Sequence, residues 1–217
     1  MQVARSAQVQ TIEVFADVWC PFTHVGLRRL VAERDRVGRT DRIVRVRAWP
    51  LELINRAPLA ADFVAEEIAA LRESVAPDLF MGFNPDHFPS TSLPALGLAA
   101  AGYFHNAPTG EQLSLALRTA LFEEGRDIAD PTELAAIATQ LGVALPGRGA
   151  IRAIRDDWDI GKRRGVQGSP HYFVGHHGFF CPTLDIGRVN GHLHVAADHE
   201  GFERFVHECF DPHDSTA

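Results

Sequence analysis

Thr11-Ile-Glu-Val-Phe-Ala16 runs straight into Asp17-Val-Trp-Cys-Pro-Phe-Thr23, and the reading of this passage decides the fold. Residues 11–16 alternate apolar with polar or small side chains, the period of a half-buried strand. Pro21 suits a first helical position, because the N–H it lacks would have had no partner inside the helix. From Pro21 to Val37 the residues Leu27, Leu30, Val31 and Val37 fall on roughly one face, and Gly38 is placed to stop the helix. Ile43 to Trp49 then alternates again with more β-branching. Strand, helix and strand in succession form a βαβ unit, whose strands are parallel with a right-handed crossover.

Beyond it the character changes. From about Asn55 to Arg164 the signals are helical and no convincing strand occurs. Ala61 to Ser74 is Ala-rich and amphipathic and is closed by Pro77. Ser92 can cap a helix running to about His105, Thr109 with Gln112 suggests a capping box, and Asp130, Pro131 and Glu133 form a clearer one ended by Gly142. A further helix is predicted from about Gly149 to Arg164, with Ile151, Ile154 and Trp158 inward. Between these, Pro77 to Ser90 is a long loop carrying Phe80, Met81, Phe83 and Phe88, placed to roof a ligand cleft.

Strand signals return after Gly165. His171 to Gly175 and Gly178 to Thr183 suggest an antiparallel hairpin, Asn190-Gly191 marks a second turn, and Asp198 to Phe210 reads as a last amphipathic helix with Phe202, Phe205, Val206 and Cys209 inward.

The chain has 217 residues, 46% of them hydrophobic and 23% charged, which describes a folded chain with a real core. Its 21 Lys and Arg against 28 Asp and Glu leave a formal charge of -7, which argues against nucleic-acid phosphates and anionic membranes as partners. The longest strongly apolar stretch, Ala95 to Phe104, falls far short of the ~20 residues of a membrane span. Residues Met1 to Gln10 carry no apolar signal core, so a cytoplasmic address is expected. Cys20, Cys181 and Cys209 are too few and too scattered for a disulfide-stapled scaffold.

Cys20 immediately precedes the first helix. Free N–H groups and the positive end of the helix dipole favour an anion there, so a reactive thiolate is expected at neutral pH. Thr23 stands one turn on, within reach of the same sulfur, and His24 could point back toward it as a cation. Trp19 and Phe22 read as an apolar lip for substrate. In Gly165-Val-Gln-Gly-Ser-Pro170 the turn can hold Pro170 in cis, presenting the Ser169 backbone to a ligand beside the sulfur. The bland alternative for Cys20 is a small buried hydrophobe.

Together, Phe15-Ala-Asp-Val-Trp-Cys-Pro21, Phe122-Glu-Glu-Gly-Arg-Asp-Ile128 and Gly165-Val-Gln-Gly-Ser-Pro170 resemble the DsbA family of the thioredoxin superfamily. The resemblance is to its intracellular branch of FrnE-like proteins, 2-hydroxychromene-2-carboxylate isomerases and kappa-class glutathione transferases. It spans about Thr11 to Phe210. It implies an α/β, thioredoxin-like fold with a large α-helical insertion and a cis-Pro loop. The expected thioredoxin-like part is 11–54 with 165–211, and the insertion 55–164.

Redox members of this kind carry Cys-x-x-Cys, whereas this chain has Cys20-Pro21-Phe22-Thr23. Isomerase and kappa-transferase members carry Ser where this chain keeps Cys20. Three routes stay open. A monothiol enzyme would use glutathione or mycothiol to resolve a mixed disulfide on Cys20. Alternatively Cys20 or Thr23 would hydrogen-bond the sulfur of that cosubstrate and activate it toward an electrophile. In the third, Cys181 serves as a resolving cysteine, the bland alternative being a buried strand residue.

The expected site is therefore Cys20 and Thr23 for chemistry, with Trp19, Pro21, Phe22, His24, Ser169 and Pro170 binding substrate. The partner is a small-molecule thiol or electrophile, or a protein disulfide. No tightly bound cofactor is expected, and a homodimer is allowed. Eight of eleven histidines follow residue 170, including His176-His177 and the pair His192 and His194, but no matching carboxylate or Cys spacing accompanies them and no native metal site is expected. A redox-inactive binding module is the remaining rival.

Overall fold

A computed structural model describes residues 11–211. The reading of Met1 to Gln10 lies outside the described residues. Strand β1 (Thr11–Ala16), helix α1 (Pro21–Arg36) and strand β2 (Ile43–Ala48) form the expected βαβ unit, with β1 and β2 parallel in the register Thr11 to Ile43 through Ala16 to Ala48. The chain then runs through α2 (Leu51–Asn55), α3 (Ala61–Ser74), a short 3-10 helix (Pro85–His87), α4 (Leu93–His105), α5 (Ala107–Phe122), α6 (Pro131–Gln140) and α7 (Arg148–Arg163). It returns as β3 (His171–Val174) and β4 (His177–Phe180), giving a mixed sheet of order β2-β1-β3-β4 with β3 antiparallel to both neighbours. A separate two-stranded sheet, β5 (Leu184–Val189) and β6 (His192–Ala197), precedes α8 (His199–Phe210). Its turn places Asn190 and Gly191 at φ 52 and 84, the left-handed pair that Asn-Gly adopts readily.

Strand alternation divides the core. Ile12, Val14 and Ala16 turn toward Leu27 and Leu30 of α1 and Phe205 and Cys209 of α8. Phe15 turns the other way, with Trp49 and Phe173, beneath α7. Helix α7 comes so close that a Cβ on Gly161 would sit 2.5 Å from the Trp49 ring and 3.0 Å from Phe15, so glycine is required there.

The outer edge of β2 is closed by side chains. Val44 N donates to Glu111 at 2.9 Å, Val46 N to the Tyr103 hydroxyl at 2.8 Å and Ala48 N to Asp157 at 3.1 Å. Helices α4, α5 and α7 each contribute one acceptor. They are thereby fastened to the sheet, and an edge open to strand addition is removed.

Three details depart from the sequence reading. Asn106, not Thr109, caps α5, its side chain accepting from Thr109 N. Ile151 is 58% exposed, because only Ala150, Ile154 and Gly161 of α7 are fully covered. The short helix α2 was not expected. Among the described residues no helix is long and apolar enough to cross a membrane.

Candidate active site

Cys20 leaves β1 in extended conformation, φ -80 and ψ 114, and occupies the N-cap of α1 with Pro21 next. Its carbonyl accepts the first helical bond, from His24 N at 3.2 Å. The thiol donates to the Ser169 carbonyl at 3.1 Å, where the Ser169–Pro170 peptide is cis. One turn on, the Thr23 hydroxyl lies 2.9 Å from the Ser169 hydroxyl. That same Ser169 oxygen accepts from Asp17 N at 2.9 Å, so the turn before β3 is tied to both ends of the β1–α1 connection.

Asp17 is fully buried beside this knot. One carboxyl oxygen accepts from Val18 N at 2.7 Å, and the other from Leu51 N at 2.6 Å and the Ser92 hydroxyl at 3.3 Å. Its backbone carbonyl accepts from Arg118 at 2.9 Å. Burial pushes its carboxyl up to about 7 against those hydrogen bonds and the Arg118 charge.

The sulfur has the expected donors around it but not the expected ionisation. Thr23, through hydroxyl and N–H, and the Ser169 hydroxyl all favour the thiolate. Burial outweighs them, with the Glu67 charge acting in the same direction, and the thiol is pushed up to about 11. The expectation of a thiolate at neutral pH is therefore corrected. Cys20 is 3% exposed and belongs to the cluster formed with α3 to α6 and Val195 of β6, so a helix end that would be open in isolation is covered.

The sequence matches the DSBA-like thioredoxin domain family over residues 11–194. The chain belongs to this family. Among curated proteins no relative matches it. The DSBA-like fold is similar to 2-hydroxychromene-2-carboxylate isomerase at TM-score 0.60 and 15% identity, over 78% of this chain and 88% of that one. It is similar to the cytosolic disulfide reductase DsbM from Pseudomonas aeruginosa at TM-score 0.55 and 17% identity, over 90% and 91% of the two chains. A Streptomyces coelicolor protein described as a probable DsbA oxidoreductase gives TM-score 0.59 at 15% identity, over 96% and 95%. At these identities the likeness is one of fold.

Within this DSBA-like site other expected residues take different places. His24 turns away from a role as cation for Cys20: its ring is 2% exposed, hydrogen-bonds Glu123 at 2.6 Å and packs on Phe122 and Phe80. Burial lowers its pKa further than Glu123 raises it, so the neutral ring donates to the carboxylate. Trp19 forms no lip. It is fully buried and stacks on Phe88 at 5.5 Å, which brings the Phe-rich loop directly down onto the site instead of roofing an open cleft. Pro21 and Phe22 are also buried, as is Pro170, while Ser169 is half-exposed.

Cys181 follows β4 at φ 44 and donates its N–H to the Pro170 carbonyl at 3.0 Å. Its thiol is pushed up to about 12 by burial and then by the charge of Cys20. Cys20 and Cys181 thus attach to consecutive carbonyls of one turn. All three cysteines are free thiols, and Cys209 lies in the core between α1 and α8. His192 and His194 are exposed on β6, and among the described residues no group of three His, Cys, Asp or Glu could hold a metal.

The structure adds Glu67, which the sequence reading passed over. It stands in the inward stripe of α3 with Val64, Ile68 and Leu71, half-buried, and its charge acts on Cys20. Burial pushes its carboxyl up to about 8. A carboxylate inside an otherwise apolar stripe was the available signal.

Proposed function

We propose that the chain is a thiol–disulfide oxidoreductase working through one cysteine, Cys20, with glutathione or mycothiol as cosubstrate in a reducing cytoplasm. The observation that carries this reading is the Cys20 sulfur held 3.1 Å from the Ser169 carbonyl, with the Thr23 N–H, the Thr23 hydroxyl and the Ser169 hydroxyl grouped around it. In the first step Cys20 loses its proton to solvent. The thiolate attacks a disulfide sulfur, forming a Cys20–S–S–R bond while the second sulfur leaves as a thiolate. In the second step an external thiolate attacks the mixed disulfide, releasing a new disulfide and returning Cys20 as thiolate. Electrons pass from the external thiol to the original disulfide, and Cys20 ends as it began. Thr23 and Ser169 stabilise the thiolate in both steps.

The reading assigns resolution to the external thiol because Cys181, at about 12, is harder to ionise than Cys20, at about 11. A structure of DsbM with GSH, similar to this chain at TM-score 0.57 and 17% identity, is in keeping with such a cosubstrate.

One observation favours a second reading. A thiol kept neutral by burial is a good hydrogen-bond donor, so Cys20 and Thr23 could instead hold a cosubstrate sulfur in an isomerase or transferase reaction. Intact-mass measurement after incubation with oxidised glutathione separates the two. The oxidoreductase reading expects one glutathionyl adduct per chain, removed by reduced glutathione and missing in Cys20→Ser. An unmodified wild-type chain, or an adduct that persists in Cys20→Ser, overturns it.

A further inference from the structure

A cleft that does not include Cys20 opens between β2, α4, α5 and α7, with a volume of about 200 Å³. Its mouth is at Phe104 and Asp156, both exposed, and its deepest residues are Arg118, 1% exposed, and Ser114, 0% exposed. The Arg118 guanidinium donates to the Ser114 carbonyl at 2.8 Å and to the Asp17 carbonyl at 2.9 Å, while its Nε finds no acceptor. Among the described residues no carboxylate forms an ion pair with it. Arginine cannot shed its proton, and a buried charge without a counter-charge is costly.

The Ser114 hydroxyl is a second unspent donor. It lies near the Tyr103 phenol but makes no hydrogen bond of acceptable geometry, and Tyr103 spends its own proton on the Val44 carbonyl at 3.0 Å. Arg45, over the Tyr103 ring at 5.3 Å, adds another cation to the lining. Of the nearby acids, Asp157 is bound by Arg47 and Ala48 N, Asp17 by Leu51, Val18 and Ser92, and Asp156 stands at the mouth. The walls include the apolar side chains of Leu96 and Ala99.

From this juxtaposition we infer that the cleft binds a small monocarboxylate. Its carboxylate accepts from Arg118 Nε–H and the Ser114 hydroxyl, and its short alkyl body lies along Leu96 and Ala99. At roughly 30 Å³ per non-hydrogen atom, by analogy with water, the space suits about six or seven atoms, the size of butyrate and well short of a fatty acid. Apolar walls around a charged floor select a carboxylate over an inorganic anion or a neutral alcohol.

Equilibrium dialysis of labelled butyrate against the full chain at low ionic strength tests this. The expected result is saturable uptake of one butyrate per chain, untouched by an equal concentration of n-butanol or chloride. Affinity falls about tenfold in Ser114→Ala, as expected for one hydrogen bond to a charged group. Uptake is abolished in Ala99→Leu, whose side chain fills the cleft. Ser114→Ala removes a single atom and keeps the test usable if Ala99→Leu does not fold. No saturable uptake, or an unchanged affinity in Ser114→Ala, overturns the inference. So does uptake that survives in folded Ala99→Leu, which would mean an adventitious anion only, and so does displacement by equimolar chloride, which would mean a halide site.

Discussion

Asp17→Asn should gain on the wild-type protein by about 4 kcal/mol of folding stability as the pH is raised from 4 to 8. The figure follows from a carboxyl moved from 3.8 to about 7 on folding, at about 1.4 kcal/mol per pH unit. Its sign comes from the raised pKa. Below pH 4 folded and unfolded chains both carry the proton. Between 4 and 7 the unfolded chain loses it and the folded chain keeps it, so the Asp17 contribution to stability declines with rising pH and is constant again above 7. Asparagine does not titrate, so its own mismatch cancels when two pH values are compared. That mismatch is an amide –NH2 facing the Leu51 N–H that the carboxylate accepts. Urea unfolding of both proteins at the two pH values measures the quantity. An equal difference at both would mean that Asp17 ionises as an ordinary exposed acid and that the buried knot beside Cys20 is wrongly described.

Thr23→Cys is expected to convert a protein without dithiol activity into one that reduces insulin, at least ~10-fold above wild type. The Thr23 side chain is fully buried one helical turn from Cys20 and hydrogen-bonds the same sulfur. Residues three apart on a helix have Cα atoms within the ~4.4–6.8 Å that a disulfide spans. The new thiol then supplies the internal attack that a single cysteine lacks, releasing the mixed disulfide without an external thiol. Loss of two hydrogens from the oxidised variant, with the bond mapped to residues 20 and 23, is the structural readout. A variant that folds but forms no such bond would contradict the geometry around Cys20.

Much of the scaffold was legible because it rests on local periodicity. The alternation in β1 and β2, the Ala-rich stripe of α3 and the Asp130-Pro131 start of α6 depend on residues within one or two turns. What was not legible depends on distant chain. Trp19 looks like an exposed aromatic beside a reactive cysteine, and only the arrival of Phe88 buries it. Helix α2 has five residues and no period to read; its first N–H is held by Asp17, from another part of the chain. The ionisation of Cys20 was misjudged for the same reason. A helix N-terminus favours the thiolate locally, but α3 with Glu67 and the second sheet remove the water on which that preference counts.

Residue-resolved alkylation across a pH series tests the central claim, that Cys20 is the accessible chemistry of this chain although burial holds it protonated. Mass mapping after limited iodoacetamide treatment should rank Cys20 above Cys181 by about tenfold, following thiols at about 11 and about 12, with Cys209 slowest because burial raises it further. The Cys20 rate should rise about tenfold per pH unit between 7 and 9 without levelling. A Cys20 rate no greater than that of Cys209, or one already level at pH 7, would contradict the account.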